Sequence, residues 1–342
     1  MNILIVRLGA LGDVVHAIPA AAAIRAARPE ARIDWFVEAR HRPIVDLVTV
    51  IDRVVPLEGR TIRAWVDAVR RLRQVRYDVA LDLQGLMKSA VLARASGAAR
   101  VAGFSIWHLR EKGARPFYSE TGTADESVEH VIDKNLQLLR VLGIENPGVE
   151  FPLADVNSGA VDAIRRELGS GRYALINPGA AWPNKRWPPA RFGEVAAFLR
   201  DVRGLPSVVL WGPGEEGLAH AVVEASHGAA RQAPPTAIAD LVALARGAAL
   251  VVSGDTGPLH IAAAVGTPAV AIFGPTDPAR NGPWSPADIT VSRFDRCDCH
   301  YERRCHQAAW CLDGVRVAEV TAAIQQRLGR TAATPDRPAH DV

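Results

Sequence analysis

Asp13 is the first residue of the chain whose type and position could do chemistry. It ends the segment RLGALGD (residues 7–13), which separates an apolar run from a helix-like stretch. A carboxylate in such a turn can serve as a general base, but aspartate also strongly favours a helix N-cap. Taken alone, the loop favours the cap. It lacks the G-x-G-x-x-G spacing of dinucleotide-binding loops, which argues against a nicotinamide cofactor.

A second polar loop, SGDTGPLH (residues 253–260), has the pattern of a phosphate site. Pro258 fits the first turn of a helix, which places Thr256 and Gly257 at an N-terminus whose free N–H groups attract phosphate. Thr256 adds a hydroxyl donor, Asp255 can accept hydrogen bonds from sugar hydroxyls, and His260 can contact a base or a ribose. The alternative is an ordinary turn followed by a helix cap.

A third loop, NPGAAWPNKRWPPARFG (residues 177–193), presents cations between tryptophans and prolines. Gly179 ends the preceding apolar run. Prolines restrict the backbone, so Lys185 would be held over a site and could neutralise a diphosphate leaving group. The alternative is a solvated surface lysine.

The elements that position these loops alternate between aliphatic runs and helical periods, which predicts parallel sheets covered by helices. The predicted strands are residues 3–6, 33–37, 54–56, 79–82, 100–103, 173–177, 207–211, 250–253 and 269–273, and the predicted helices include residues 14–29, 62–77 and 190–201. The fold class is therefore α/β, with two facing, Rossmann-like, doubly wound domains and a central cleft.

The domain boundaries follow from composition. A Gly-, Pro- and Asn-rich linker (residues 143–160) separates the predicted domains, 1–155 and 156–328, and residues 329–342 are predicted to be a disordered tail. Ligands of doubly wound sheets bind beyond the carboxyl ends of the strands. Facing domains would place Asp13 opposite a phosphate held by the second domain, as an inverting displacement requires.

Composition and charge limit the classes of partner. The 342 residues are 49% hydrophobic and carry a formal net charge of +3, which predicts a globular protein with no nucleic-acid partner. No apolar run reaches the length of a membrane span, and the N-terminus reads as a buried strand rather than a signal peptide. We expect a cytoplasmic protein that can rest on a membrane surface.

Four cysteines form a cluster near the C-terminus: Cys297, Cys299, Cys305 and Cys311. Three interpretations stay open, namely a structural zinc site, paired disulfides, or reduced thiols near the nucleotide. Four thiolates suit a closed tetrahedral zinc site, and a cytoplasmic location favours metal or reduced thiols over disulfides.

Four blocks occur in the order and spacing of a known family: RLGALGDVVHAIPA, DLQGLMKSAVLAR (residues 82–94), PNKRWPPARF and SGDTGPLH…FGPTDP. From residue 1 to about residue 325, the chain resembles the family 9 glycosyltransferases of the heptosyltransferase type. The resemblance implies the two-domain GT-B fold, an acceptor-binding N-terminal domain and a donor-binding C-terminal domain. It implies Asp13 as catalytic base. The implied donor-binding residues are Gly179, Lys185, Asp255, Thr256, Gly257 and His260.

The resemblance also implies the reaction. L-glycero-D-manno-heptose would pass from ADP-heptose, with inversion, to the Kdo region of the lipid A inner core. No cofactor and no metal at the diphosphate are expected. The implied acceptor-binding residues are Gly12, Arg60, Arg63, Gln84 and Lys88, for which ordinary solvated surface is the alternative. The loop SIWHLREKGARPFY (residues 105–118) mixes aromatic and basic residues, which suits a lipid-bearing acceptor at the inner face of the inner membrane.

Three alternatives stay open. The chain can be a family 9 enzyme for another nucleotide-sugar or another core acceptor. It can be a nucleotide-sugar epimerase, which would need acid and base groups around the donor sugar and no acceptor site. It can also be a non-catalytic protein that binds a nucleotide-sugar or, through its cysteines, a metal.

Overall fold

The computed structural model describes residues 1–122, 125, 127–169 and 171–332. They form two compact units, the first spanning Met1–Asp155 and the second beginning at Val156. Each unit contains one six-stranded sheet in which every pair of neighbouring strands is parallel.

The sheet of the first unit has the strand order β3-β2-β1-β4-β5-β6. Its strands are β1 (Asn2–Val6), β2 (Arg32–Glu38), β3 (Arg53–Leu57), β4 (Val79–Asp82), β5 (Arg100–Phe104) and β6 (Glu120–Gly122). The helices are α1 (Leu11–Val15), α2 (Ile18–Ala27), α3 (Arg42–Val45), α4 (Ile62–Leu72), α5 (Met87–Ala95) and α6 (Val131–Leu138). The central strand β1 is completely buried from Ile3 to Val6, as expected for a strand covered on both faces.

The second unit repeats this topology with the order β9-β8-β7-β10-β11-β12. Its strands are β7 (Tyr173–Asn177), β8 (Ser207–Val209), β9 (Ala230–Gln232), β10 (Ala248–Gly254), β11 (Ala269–Phe273) and β12 (Ile289–Ser292). The helices are α7 (Gly159–Leu168), α8 (Pro189–Arg203), α9 (Glu216–Ala225), α10 (Ile238–Gly247), α11 (Gly257–Ala264), α12 (Pro278–Asn281) and α13 (Val317–Ala332).

Helix α8 shows how sequence spacing becomes packing. Phe192, Val195, Ala196 and Leu199 are all buried against the second sheet, as their helical spacing predicted. Trp187, just before the helix, is 1% exposed and meets Phe192 edge to face, with 4.9 Å between ring centroids. The loop that carries Lys185 is thereby anchored in the core.

The structure corrects several predicted boundaries. The predicted helix 14–29 is two helices, α1 and α2, because Pro19 stands in the first turn of α2 and has no N–H to continue an earlier helix. The strand predicted at residues 207–211 ends at Val209. Residues 329–332 of the predicted tail belong to α13, and residues 333–342 lie outside the described part of the chain.

Within the described residues, no helix combines the length and apolar character needed to cross a membrane.

Candidate active site

The three predicted loops all follow strands at the centre of their sheets, at the point where the order of the strands reverses. In each sheet the first strand and its neighbour, β1 with β4 and β7 with β10, mark the point from which the strand order runs outward both ways. Such switch points open a crevice at the carboxyl edge, where ligands bind. The Asp13 loop follows β1, the Lys185 loop follows β7, and Asp255 follows β10.

Asp13 is not the N-cap of its helix. The N-cap of α1 is Ala10, and Asp13, three residues further on, accepts a hydrogen bond from the Ala10 N–H at 3.2 Å. The interpretation of Asp13 as a cap residue was therefore wrong in position, although its carboxylate does satisfy one free N–H of the helix start. The side chain is 28% exposed, so it can meet a substrate.

Arg7 forms an ion pair with Asp13. Its Nη2 lies 2.8 Å from Asp13 Oδ1, and its Nη1 donates to the carbonyl of Leu83. Arg7 is buried. A buried guanidinium fixed at one end to the backbone orients the carboxylate that it pairs with.

Three predicted acceptor residues lie at this carboxyl edge. Gly12 belongs to α1, and Gln84 Oε1 accepts from the Leu8 N–H of the same loop at 2.8 Å. Lys88 Nζ lies 2.5 Å from Glu38 Oε1 at the end of β2. Burial alone would raise the pKa of Glu38, but Lys88 and Arg40 outweigh it and lower the pKa, so the carboxylate stays ionised.

The other two predicted acceptor residues are not part of this group. Arg60 and Arg63 follow β3 and are exposed. Arg63 is 93% exposed and contacts Asp67 at 3.9 Å. They lie at the same edge of the sheet, on the loop and first turn of α4, and not against the Asp13 loop.

His41 packs on the Asp13 loop. A Cβ added to Gly9 would lie 2.8 Å from two atoms of the His41 ring, so only glycine allows this approach. Burial, followed by the nearby Arg40, lowers the pKa of His41 to about 4. The ring is therefore neutral at physiological pH.

Asp82 orders the neighbouring loop from inside the core. Its buried carboxylate accepts from the Tyr118 hydroxyl at 2.7 Å, the Ser89 hydroxyl at 2.8 Å and the Gln84 N–H at 2.9 Å. These bonds fix the turn into α5 and thus the positions of Gln84 and Lys88.

In the second unit, Asp255 organises a cluster of polar groups. Its Oδ2 lies 2.5 Å from Lys185 Nζ and accepts from the Thr276 hydroxyl at 2.7 Å, while Oδ1 faces His260 Nε2 at 3.2 Å. Burial would raise its pKa, but the His260 hydrogen bond and the Lys185 charge hold that pKa well below the ordinary range. Asp255 was predicted to accept from sugar hydroxyls, whereas both of its oxygens are bonded within this cluster.

Lys185 is largely buried and ion-paired with Asp255, unlike a solvated surface lysine. Its side chain is 15% exposed, and its Nζ lies 4.5 Å from the centroid of the Trp182 ring. Thr256 is the N-cap of α11 and Gly257 its first residue. Thr256 Oγ1 accepts from Asn177 Nδ2 at 2.9 Å. A cation and a helix N-terminus at one sheet edge are features that can bind an anion.

Gly179 lies under a further carboxylate. A Cβ there would lie 2.1 Å from Glu215 Oε2. Arg186 Nη2 lies 3.8 Å from Glu215 Oε1 and its Nε donates to the Ala180 carbonyl at 2.8 Å. A larger residue at position 179 would therefore have to displace the Glu215 carboxylate.

The cysteines do not form the predicted set of four thiolate ligands. Cys299 and Cys305 form a disulfide, whereas Cys297 and Cys311 are free thiols. A disulfide sulfur has no thiolate charge to offer a metal, so the four cysteines do not form one set of thiolates in this structure. Among the described residues, one group has potential ligand atoms within 4.8 Å of one another, and it comprises Cys299, Glu302 and His306. In that group Cys299 is buried, whereas Glu302 and His306 are exposed.

Sequence reasoning missed five residues that build these sites: Arg7, Glu38, His41, Asn177 and Thr276. A signal existed for most of them, because Glu38, Asn177 and Thr276 end or closely follow strands whose carboxyl edge was already implicated. Arg7 was read only as the end of an apolar run, since an arginine buried in a loop has no pattern of its own.

Known proteins are similar to this chain both in sequence and in architecture. Residues 65–310 match the family described as Glycosyltransferase family 9 (heptosyltransferase). Lipopolysaccharide heptosyltransferase 1 of Pseudomonas aeruginosa is 28% identical over 319 residues, covering 89% of this chain and 87% of that protein. The Escherichia coli K12 protein of the same name is 29% identical over 294 residues, covering 82% and 90%.

The solved structure described as E. coli heptosyltransferase WaaC with ADP matches 98% of this chain and 100% of its own, with 25% identity and a TM-score of 0.76. Two parallel sheets covered by helices are the GT-B fold of these proteins, which confirms the predicted fold class. By sequence and by fold, the chain belongs to glycosyltransferase family 9, the heptosyltransferases.

Proposed function

We propose that the protein transfers L-glycero-D-manno-heptose from ADP-heptose, with inversion, to the Kdo region of the lipopolysaccharide inner core, and that Asp13 is the general base. Its family makes it a glycosyltransferase of lipopolysaccharide core synthesis. The donor, the acceptor and the base are the proposed parts.

The observation that carries the donor assignment is the cluster of Lys185, Asp255 and Thr276 beside the N-terminus of α11. Lys185 supplies a positive charge that a diphosphate can share with Asp255, and the first N–H groups of the helix supply donors. The matching E. coli structures are described as holding ADP and ADP-2-deoxy-2-fluoro heptose, which supports ADP-heptose here.

The proposed reaction uses two charged groups, the Asp13 carboxylate and the Lys185 ammonium. An acceptor hydroxyl gives its proton to Asp13 while its oxygen attacks the anomeric carbon, and the bond from that carbon to the phosphate oxygen breaks. The proton ends on the carboxylate and the electron pair of the broken bond ends on ADP. A carboxylate is a weak base for an alcohol, but the hydroxyl becomes more acidic as the new bond forms. Lys185 stabilises the charge gained by the leaving ADP.

Exposed apolar side chains support a lipid-bearing acceptor. Ile62 is 85% and Trp107 83% exposed, and both follow strands at the carboxyl edge that carries Asp13. Exposed cations lie close to them in the sequence: Arg60 and Arg63 near Ile62, and Arg110 and Lys112 near Trp107. Apolar tips framed by cations fit an anionic lipid surface, so we assign this edge to membrane contact.

Vesicle binding tests the membrane contact. The double variant Ile62→Ser/Trp107→Ser should bind anionic phosphatidylglycerol vesicles at least about 100-fold more weakly in co-sedimentation, because burying such side chains stabilises by ~1.5–3 kcal/mol each and every ~1.4 kcal/mol is a factor of ten in affinity. Val202→Ser is the matched control, since Val202 is 55% exposed on the second unit. Equal binding by the double variant and the wild type would rule out this surface.

ADP release tests the reaction itself. The protein is incubated with ADP-heptose, with and without a Kdo-containing acceptor, and ADP is measured. Acceptor-dependent ADP supports the proposal. A change in the donor sugar without ADP release would indicate an epimerase, and donor binding without turnover would indicate a binding protein.

Asp13→Asn tests the base. The amide can still accept from the Ala10 N–H but cannot take a proton, so kcat should fall by about 10²–10⁴-fold while ADP affinity is unchanged. Asp201→Asn is the control, because Asp201 is exposed on α8 of the second unit and pairs with Arg200 at 2.6 Å. Full activity in Asp13→Asn would remove Asp13 from the chemistry.

A further inference from the structure

We propose that the cysteine loop, residues 297–311, is a brace that positions the donor cluster of Lys185, Asp255 and Thr276. The inference rests on the proposed function in one respect, the identity of the ligand as ADP. The contacts that make the brace are observed in the structure. Residues of this loop act on the cluster through other residues, so they are positioning residues.

The first contact fixes Lys185. Asn184, the residue before it, is 1% exposed, and its Nδ2 donates to the backbone carbonyl of Glu302 at 2.9 Å. Asn184 and Lys185 lie in one 3-10 turn, Pro183–Lys185. A turn tied to the cysteine loop at its middle residue leaves Lys185 little freedom to leave Asp255.

The second contact fixes Thr276 from the other side. The Tyr301 N–H donates to the carbonyl of Pro275 at 2.8 Å, and Pro275 directly precedes Thr276. Gly274 lies against the same loop, since a Cβ there would lie 3.0 Å from Cys311 Sγ. The cysteine loop therefore holds both partners of Asp255 Oδ2, each through the residue that precedes it.

The disulfide explains why the brace can be firm. Tyr301 and Glu302, which make the two backbone contacts, lie inside the ring closed by Cys299 and Cys305. A cross-link restricts the conformations of the residues that it encloses. Burial and the adjacent Cys297 raise the pKa of Cys311 to about 12. Cys311 is therefore protonated at neutral pH, and a protonated thiol does not attack a disulfide.

ADP affinity, measured by calorimetry on the full chain, tests the brace. Asn184→Ala and the double variant Cys299→Ser/Cys305→Ser should each bind ADP about tenfold more weakly, a change of about 1.4 kcal/mol. The first removes the buried hydrogen bond that holds the turn of Lys185, and the second opens the ring that contains Tyr301 and Glu302. In turnover, the effect should fall on the KM for donor and leave the KM for acceptor unchanged.

Asn135→Ala is the matched control. Asn135 is also 1% exposed and donates from Nδ2 to a backbone carbonyl, that of His16, at 3.0 Å, but in the first unit. It should lose comparable thermal stability without losing ADP affinity. If Asn184→Ala loses stability to the same extent and binds ADP like the wild type, the residue is merely structural and the brace is refuted.

A ligand-free measurement separates this inference from the proposed function. Hydrogen–deuterium exchange of residues 183–186 and 274–277 should rise in the Cys299→Ser/Cys305→Ser variant without ADP. A wild type that fails to bind ADP would refute the proposed donor, whereas unchanged exchange in these segments would refute the brace.

Discussion

The two residues to which the chemistry is assigned are each engaged by a partner of opposite charge before any substrate is present. Asp13 faces Arg7 at 2.8 Å, and Lys185 faces Asp255 at 2.5 Å. Such pairs hold a side chain in its working position and lower the entropy lost when substrate binds. A donor diphosphate must then share Lys185 with Asp255, which favours ligands of high charge over single buffer anions.

Lys185→Met should abolish detectable ADP binding and also lower the melting temperature. The carboxylate of Asp255 is 5% exposed, and removing the partner of a buried charge costs about 3–5 kcal/mol. In Lys185→Met/Asp255→Asn the stability should return, because no charge is left unpaired, while ADP binding stays lost. Calorimetry and thermal unfolding measure the two effects. A double variant that regains ADP binding would contradict the role given to Lys185.

At the scale of elements, the β1–α1 loop is shaped as much by its neighbours as by its own residues. The ring of His41, in the turn after β2, packs against Gly9. Gln84, in the turn after β4, accepts a hydrogen bond from the Leu8 N–H. The loop that presents Asp13 is thus held between two other loops of the same edge.

Gly9→Ala should lower both the melting temperature and kcat, because the new Cβ would meet the His41 ring at 2.8 Å and displacing packed groups costs about 1–3 kcal/mol. Removing the ring should relieve the clash, so Gly9→Ala/His41→Ala should recover most of the loss. A double-mutant cycle measures the coupling. Additive losses in the double variant would show that the ring does not limit this position.

The inner strands could be predicted from the sequence, whereas three of the four edge strands could not; β3 is the edge strand that the sequence did predict. Strands β1, β4, β7, β10 and β11 are buried aliphatic runs, and the sequence shows such runs directly. Strands β6, β9 and β12 were missed, because they are three or four residues long and contain polar residues such as Glu120, Arg231 and Thr290. They form only because a neighbouring strand offers its edge.

The site was predictable to a similar extent. Glycines, Lys185 and Asp255 stand out by type and by position after strands, so their loops could be found. The pairing of Asp255 with Lys185 and Thr276 could not, because it depends on the register by which β10 lies between β7 and β11. The position of Asp13 within its helix depended on a helix start one turn earlier than the apolar pattern suggested.

At the scale of the whole molecule, the assigned roles divide between two units of identical topology. ADP should therefore slow hydrogen–deuterium exchange at residues 183–186, 254–260 and 274–277 of the second unit and leave the turn after β2 in the first unit unchanged. A ligand at about 100 times its Kd adds about 2.7 kcal/mol to the free energy of unfolding. A change of that size is large enough to slow the exchange measurably. Protection confined to the first unit would reverse the assignment of the donor.

The shared strand order also has a consequence for how the chain is made. In each sheet the strand synthesised first is a central one: Ile3 pairs with Val79, and Leu175 pairs with Val251. Translation must continue well past β1 before its partner β4 leaves the ribosome, and the wait recurs for β7. Parallel pairing across such distances is slow and leaves apolar surface open meanwhile. Each of these strands can pair with the strand that follows it in the chain, β2 or β8, but its other edge stays unpaired until β4 or β10 is made. We therefore expect the need for chaperones to be greatest in those two intervals.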